Sequence, residues 1–524
     1  MSTLQETALE TRYDELEAVF SDRLALSWRQ CAVVGFACLL FVLISYTPLA
    51  PSTTWLLASR GEAILASGSL PQVDVTQPLS QGLPYRETSW LSSVFWALVS
   101  RQSLEAVSWA ITLLAALSLG ASAAIVATAT RNSLLTAVGL GWLALLLWPQ
   151  WSQGTPLLLT LPVWLLLVCV QITYVDKFPA WGRAAITVAL IALWANLDAS
   201  VWIGLVLVAL DWGTVAGETF RRTHDWRSPW RDREFRFATL TLEFSLLATL
   251  FTPLGVGLWT GYWEQIAAIH RNTAPLAVVS LAGLGWLIAL VVIGVILRKH
   301  PGTLPWHELA PAILLALGSL VYAPLLAWFA PLAVVVLLPR LQQACGWSED
   351  PAAVPATPQP ADTADRPLLK FAYTLTAALL CWIAFALSPL SQPLLGGQPR
   401  GVSQLFDRST PVAAVRYLRE NPVPGLVFAP AAWGDLLQSK QGATADVFAT
   451  TQKNSLPQQV IFDYGRLTRG EVHWETTAER YGIDALVIDK QTQPMLLEAV
   501  GEGNENWQVV LNDEQALVVR RRGL

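Results

Sequence analysis

Residues 51–102 read PSTTWLLASRGEAILASGSLPQVDVTQPLSQGLPYRETSWLSSVFWALVSRQ, a stretch of roughly 50 residues between two apolar runs. Connections in helical proteins are mostly far shorter, and long ordered ones tend to carry function. Prolines, glycines and tryptophans punctuate it, and Glu62, Asp74 and Glu87 are spread along it. Its flanks decide the fold, and its carboxylates are the first place to look for chemistry.

Those flanks belong to a membrane protein. Of 524 residues, 53% are hydrophobic and 14% charged, a balance that a soluble domain does not show. A crossing needs about 20 apolar residues. Runs of this kind lie at Arg29–Leu49, Leu104–Ala127, Leu134–Leu147, Leu157–Tyr174, Ala184–Trp194, Ser200–Val215, Phe237–Val256, Leu276–Leu297, Leu309–Tyr322, Pro324–Leu338 and Phe371–Leu387. They predict a mainly α, polytopic bundle of about eleven spans, with kinks or re-entrant turns near Gly154, Asn196 and Tyr322. Twenty-five tryptophans suit the membrane–water interface. The first 22 residues are polar and acidic, which is no cleavable leader. The five cysteines sit in or beside apolar runs and read as small hydrophobes.

Lys and Arg gather in short cytoplasmic loops. With a cytoplasmic N terminus, the predicted inner loops hold Arg131, then Lys177 and Arg183, then Arg221, Arg222, Arg227, Arg231, Arg233 and Arg236, then Arg298 and Lys299, then Arg340. The short outer loops hold only Arg271. This bias puts the 51–102 loop and everything after Leu390 outside the cytoplasm. The Arg-rich segment after Thr223 reads as a topology anchor to anionic lipid rather than a nucleic-acid site.

The expected organisation is a cytoplasmic segment 1–28, a transmembrane body 29–345 with the long loop at 51–103, a disordered cytoplasmic linker 346–368, a last span 369–390 and an extracytoplasmic domain 391–524. The linker is rich in Pro, Ala and Asp, which cannot bury a core. In the last segment GLVFAP, ADVFAT, DALVIDK, WQVVLND and ALVVRRR read as strands, PVAAVRYLRENP and EVHWETTAERYG as helices, and NDEQ as a hairpin turn. A small α/β domain follows.

Several residues could carry chemistry. A carboxylate that deprotonates an acceptor must lie within hydrogen-bond reach of it. Glu62, Asp74 and Glu87 qualify by location, each against the plainer reading of a solvated charge or helix cap. Asp74 stands out because the turn-forming SGSLPQ before it would fix its place. Asp198, between two short spans, is either a polar site residue or a cap. Glu264 and Arg271 share an outer loop, where a guanidinium suits a phosphate. The histidines show no metal-ligand spacing, and no nucleotide-binding glycine motif appears.

The run Trp55, Gly61, Gly68, Leu70, Pro71 and Asp74, followed by Gly82 to Leu91 with Trp90, resembles the first extracytoplasmic loop of bacterial GT-C type membrane glycosyltransferases of the dolichyl-phosphate-mannose mannosyltransferase kind. WANLDASVWIGL from Trp194, TPLGVGLW from Thr252 and the later PGLVFAPAAWGDLL, IFDYGRL and ERYGIDALVI are similar to further segments of that family. The resemblance implies a hexosyl or pentosyl transferase of the bacterial inner membrane. It would move a sugar, with inversion, from a polyprenyl-phosphate donor to an extracytoplasmic acceptor, with a divalent metal needed only in some members. It implies an acidic base in the first loop, for which Asp74 is at the recognisable position. Glu62 and Glu87 stand behind it, and Asp198, Glu264, Arg271, Trp55 and Trp90 are expected to line the substrate. The sequence departs from the family pattern in four places, one of them Thr252, which stands where the family has Asn before its P-x-G step. Ser52, Thr53 and Thr54 replace the acid before the aromatic, Asp198 replaces a histidine, and Ala449, Thr450 and Thr451 replace an Asp-Gly-Arg. These departures keep two alternatives open, a non-catalytic scaffold that binds an envelope partner and a transporter of lipid-linked saccharide.

Overall fold

The computed structural model describes residues 26–74, 76–80, 83–224, 230, 232–263, 276–277, 279–299, 305–347, 367–501 and 506–522. Each of the eleven apolar runs contains a helix, although Phe237–Val256 leaves its helix after Ala248 and Leu276–Leu297 enters its helix only at Leu281. In chain order the helices of this part are α1 (Trp28–Ser45), α2 (Thr53–Ser67), α3 (Trp90–Gln102), α4 (Leu104–Thr130), α5 (Ser133–Leu146), α6 (Pro156–Thr173), α7 (Ala180–Leu197), α8 (Val201–Thr223), α9 (Arg233–Ala248), α10 (Leu281–Lys299), α11 (Trp306–Val321), α12 (Ala323–Cys345) and α13 (Pro367–Leu387). Among the described residues, α1, α4, α6, α7, α8, α10 and α12 are long and apolar enough to cross a membrane. α13 joins them if it is counted with Pro389–Leu395, from which it is bent by 83°. α5 and α11 are shorter apolar helices.

Local sequence sets the ends. Ser27 caps α1 in a reciprocal pair with Gln30, Ser103 accepts from the Ala106 N–H to start α4, and Asn132 accepts from Leu134 and Leu135 to start α5. α8 runs on to Thr223, past the predicted limit of Val215, because its polar last turns stay helical until His224 turns left-handed at φ 52°. Both α6 and α12 contain a π turn, at Cys169–Thr173 and Ala333–Leu337. In α12 the turn follows from Pro339, which has no N–H for the Val335 carbonyl.

Not all tryptophans anchor an interface. Trp55, Trp96, Trp151, Trp164 and Trp194 are fully buried. Trp164, Trp194 and the buried Trp328 form one ring cluster, with centroids 4.9–6.1 Å apart, that ties α6, α7 and α12 together. Within this cluster two indoles satisfy their N–H locally; Trp164 donates to the Trp328 carbonyl at 3.0 Å and Trp194 to Ser200 Oγ at 3.1 Å. Two of the cysteines read as small hydrophobes lie on the facing helices α1 and α13, where the Cys38 and Cys381 sulfurs are 3.8 Å apart and both thiols are free.

The connections at one end of the bundle bond to each other. Gly154 N donates to Thr54 Oγ1 at 2.8 Å, Trp90 Nε1 to Asn196 Oδ1 at 3.1 Å, Ser92 Oγ to the Leu197 carbonyl at 2.6 Å, and Asn196 Nδ2 to the Phe251 carbonyl at 3.0 Å. The long loop is thus the lid of that end, with α2 and α3 lying against each other across it.

The chain after α13 builds a four-stranded sheet of order β1-β2-β4-β3, from β1 (Leu426–Phe428), β2 (Ile483–Asp489), β3 (Trp507–Asn512) and β4 (Ala516–Arg521). β1 and β2 are parallel and the others antiparallel. The β3–β4 connection is the expected hairpin, held by Asp513 Oδ1, which accepts from Gln515 N and Ala516 N. ADVFAT makes only a bridge, Val447 to Val427, instead of a full strand. Helices α14 (Val412–Glu420), α15 (Ala431–Gln438), α16 (Gln458–Thr468), α17 (Trp474–Arg480) and α18 (Pro494–Val500) complete this part. The predicted linker falls largely on residues 348–366, outside the described residues.

Candidate functional site

The organising group is a cation that the sequence reading passed over. Arg60, on α2, is fully buried. A buried charge is tolerated only when paired and hydrogen-bonded, and the loop supplies the partners. Arg60 Nη2 donates to Asp74 Oδ2 at 2.7 Å, its Nε lies 3.7 Å from Glu87 Oε2, and its guanidinium carbon sits 4.7 Å from the Tyr85 ring centre. Tyr85 donates its hydroxyl to Glu87 Oε2 at 2.6 Å. Burial disfavours the Arg60 charge, yet Tyr85, Glu87 and Asp74 around it raise its pKa, so the guanidinium stays charged.

Asp74 is held on both oxygens. Oδ1 accepts from Thr76 N at 3.0 Å and Thr76 Oγ1 at 2.5 Å, and Oδ2 from Arg60, from Ser455 Oγ at 2.9 Å and from Gln77 Nε2 at 3.3 Å. Burial pushes its pKa up, but Arg60 and these hydrogen bonds outweigh it and hold the carboxyl below its usual range. Ser455 and Gln452 come from the far end of the chain: Gln452 takes a hydrogen bond from Arg60 Nη1 and, through its carbonyl, one from Gln77 Nε2 at 2.7 Å.

Glu87 Oε1 accepts from Ser89 N at 3.1 Å, and Ser89 Oγ donates to Asp198 Oδ1 at 3.0 Å. Asp198 Oδ2 accepts from Ser200 N at 3.0 Å, so it caps the turn into α8 as well as reaching the loop. Asp74, Glu87 and Asp198 therefore belong to one polar network, running Asp198–Ser89–Glu87–Arg60–Asp74–Ser455. Trp90, bonded to Asn196, flanks it.

Other expected residues fall elsewhere. Glu62 faces away from Arg60 and is clamped by Arg101, at 2.5 and 2.8 Å, and by Lys440. These hydrogen bonds, Arg101 first, pull its pKa down to about 2, so it is a fixed anion. Trp55, expected at the substrate, is wholly buried with its ring 5.6 Å from Phe406, and it packs the lid. Glu264 and Arg271 lie outside the described residues.

Beside the network is a cavity of about 540 Å³ lined by Leu70, Pro71, Gln72, Pro84, Tyr85, Arg86, Pro253, Leu254 and Gly257, a volume that suits a small ligand. Tyr85 is shared between the cavity wall and the network. Arg60 is the cation paired with both Asp74 and Glu87. Among the described residues no group of three or more His, Cys, Asp or Glu is placed to hold an ion.

One further acid was missed. Asp435, on α15, is fully buried and accepts from Thr451 N at 2.9 Å and Thr451 Oγ1 at 2.6 Å. Burial pushes its pKa up to about 7, only partly offset by Thr451 and Arg60. A carboxyl raised on folding contributes stability that is complete below its unfolded value near 4 and is lost as pH rises through about 7. Asp435→Asn is therefore expected to raise the melting temperature at pH 8, by about 2–4 kcal/mol in stability, and to leave it unchanged at pH 4. Thermal unfolding in detergent at the two pH values measures this.

No family model and no curated protein matches the chain. Solved structures do. ArnT from Cupriavidus metallidurans in the apo state superposes with a TM-score of 0.52 at 14% identity, over 93% of this chain and 97% of that one. Arabinofuranosyltransferase AftD from Mycobacteria gives 0.48 at 15% identity, over 95% and 42%. The Archaeoglobus fulgidus oligosaccharyltransferase gives 0.48 at 12%, over 88% and 68%. The apo ArnT match covers nearly the whole of both chains, and the chain has the polytopic GT-C-like fold, as a divergent member of that architecture.

Proposed function

We propose that the protein is an integral membrane glycosyltransferase that moves a sugar from a polyprenyl-phosphate donor to an acceptor at the cavity beside Tyr85. The observation that carries this reading is the single polar network that joins Asp74, Glu87 and Asp198, and that meets the cavity at Tyr85. In the proposed reaction an acceptor hydroxyl forms the new bond to the anomeric carbon as the carbon–oxygen bond to the carrier phosphate breaks. The acceptor proton leaves through the Tyr85 hydroxyl to Glu87. Asp74 was the expected base, but its oxygens are saturated and its pKa is lowered. In this proposal it holds Arg60, and through it Glu87, in place. Arg86 on the cavity wall, together with Arg271, would meet the carrier phosphate. The Lys and Arg residues at the opposite helix ends support a lid and C-terminal region outside the cytoplasm of a bacterial inner membrane.

Sugar transfer from a radiolabelled polyprenyl-phosphate sugar by purified protein tests this. Glu87→Gln is expected to lower transfer by about 10²–10⁴-fold while the protein still elutes as a folded species. Unchanged transfer would remove Glu87 from the chemistry. One observation favours a second reading, a non-catalytic scaffold on the same fold: Arg60 pairs with Asp74 and Glu87 in a buried cluster, as a structural clamp would. That reading requires no transfer by folded wild-type protein with any polyprenyl-phosphate sugar.

A further inference from the structure

The end of the bundle opposite the lid holds a second cavity, of about 390 Å³, that the proposed reaction does not use. Ala129 at the end of α4, Ile172 and Thr173 at the end of α6, His307 and Glu308 at the start of α11, and Val335, Val336 and Arg340 on α12 line it. Four apolar helices start or finish at this level, so the cavity lies at a membrane–water boundary. Both π turns face it. Such turns widen a helix by one residue and are frequent at functional sites. Its floor is apolar and its mouth is charged. Arg340 forks onto Glu308, with Nε to Oε2 at 2.8 Å, and Arg340 Nη1 reaches Gln343 Oε1 at 3.2 Å. His307 Nε2 lies 3.9 Å from Glu308 Oε1. α11 begins here without a side-chain cap, so its first N–H groups add partial positive charge.

We infer that this cavity binds the headgroup of an aminophospholipid. The charge pattern selects the class. A paired Arg340 and Glu308 present no net charge, so a multiply charged anion would be repelled by Glu308. A headgroup that carries both signs meets both: its phosphodiester faces Arg340, His307 and the α11 terminus, and its ammonium faces Glu308. The apolar floor of Ile172, Val335 and Val336 receives the first carbons of the chains. The plainer reading is a helix–helix clamp between α11 and α12 with no ligand. A clamp needs neither a widened cavity nor His307 at its mouth.

Delipidated protein titrated with phosphatidylethanolamine, phosphatidylcholine or phosphatidylglycerol, and read by native mass spectrometry and thermal unfolding, tests the inference. One phosphatidylethanolamine is expected to be retained at least tenfold better than the other two. Glu308→Gln is expected to erase the preference for ethanolamine over choline. His307→Ala, a half-exposed position that should not disturb folding, is expected to weaken retention at least threefold with the lipid-free melting temperature unchanged. Equal retention of all three lipids, or a preference that survives Glu308→Gln, overturns the inference. An equal unfolding shift from soluble O-phosphoethanolamine would overturn the lipid as the source of the headgroup.

Discussion

Arg60→Leu is expected to destabilise the protein by about 3–5 kcal/mol, the cost of leaving a buried charge without its partner. The loss is large because two acids depend on the one guanidinium. Asp74 keeps Thr76, Gln77 and Ser455, but Glu87 keeps only Tyr85 and Ser89 among its neutral partners in the network. Arg60→Lys restores the charge without the planar fork and is expected to recover part of the stability. Asp74→Asn combined with Arg60→Leu is expected to cost less than Arg60→Leu alone, since it removes one of the stranded anions. Thermal unfolding of the three variants in detergent, followed by tryptophan fluorescence, gives the comparison. If Arg60→Leu melts with the wild type, the network does not hold the lid.

The second large effect is expected at Gly61. A methyl there would stand 2.0 Å from the Ser93 carbonyl oxygen and 2.7 Å from the Ala97 Cβ. Overpacking usually costs about 1–3 kcal/mol, and occasionally more. Here the obstacle is backbone, which has no rotamer to yield, so Gly61→Ala is expected at or above the top of that range. The expected mode of failure is separation of α2 from α3, which would also displace Arg60, the next residue. Ala97→Gly removes one of the two collisions and leaves the carbonyl, so the double variant is expected to recover little of the loss. Full rescue by Ala97→Gly would mean that α2 and α3 can slide, and that the lid is less rigid than its contacts imply.

Much of the fold was legible in composition. Apolar runs mark helices because a bilayer leaves the backbone no partner but itself, and each of the eleven runs contains a helix, although among the described residues seven helices, or eight with the bent pair, are long and apolar enough to cross. The end of α8 was not legible, because polar residues such as Glu218 and Arg221 continue a helix as readily as apolar ones. ADVFAT looked like a strand because its residues favour one, but a single bridge at Val447 is all that neighbouring β1 supports. The site was half legible. Asp74, Glu87 and Asp198 were singled out one at a time as acids in a loop, yet their connection was not visible, since Ser89 is an unremarked residue and Ser455 is 381 positions from Asp74. Arg60 could have been found. It is the lone cation in the helix TTWLLASRGEAILAS, and a cation on a helix that buries much of its surface calls for acids nearby.

The closing of the lid by Gln452 and Ser455 also sets an order of events in biosynthesis. The loop is made early, but the hydroxyl that completes Asp74 is made 381 residues later, which at about 5–20 residues per second is roughly 20–80 s of synthesis. Through that interval the Arg60 cluster lacks its last partners, and the lid reaches its final form only when Gln452 and Ser455 arrive.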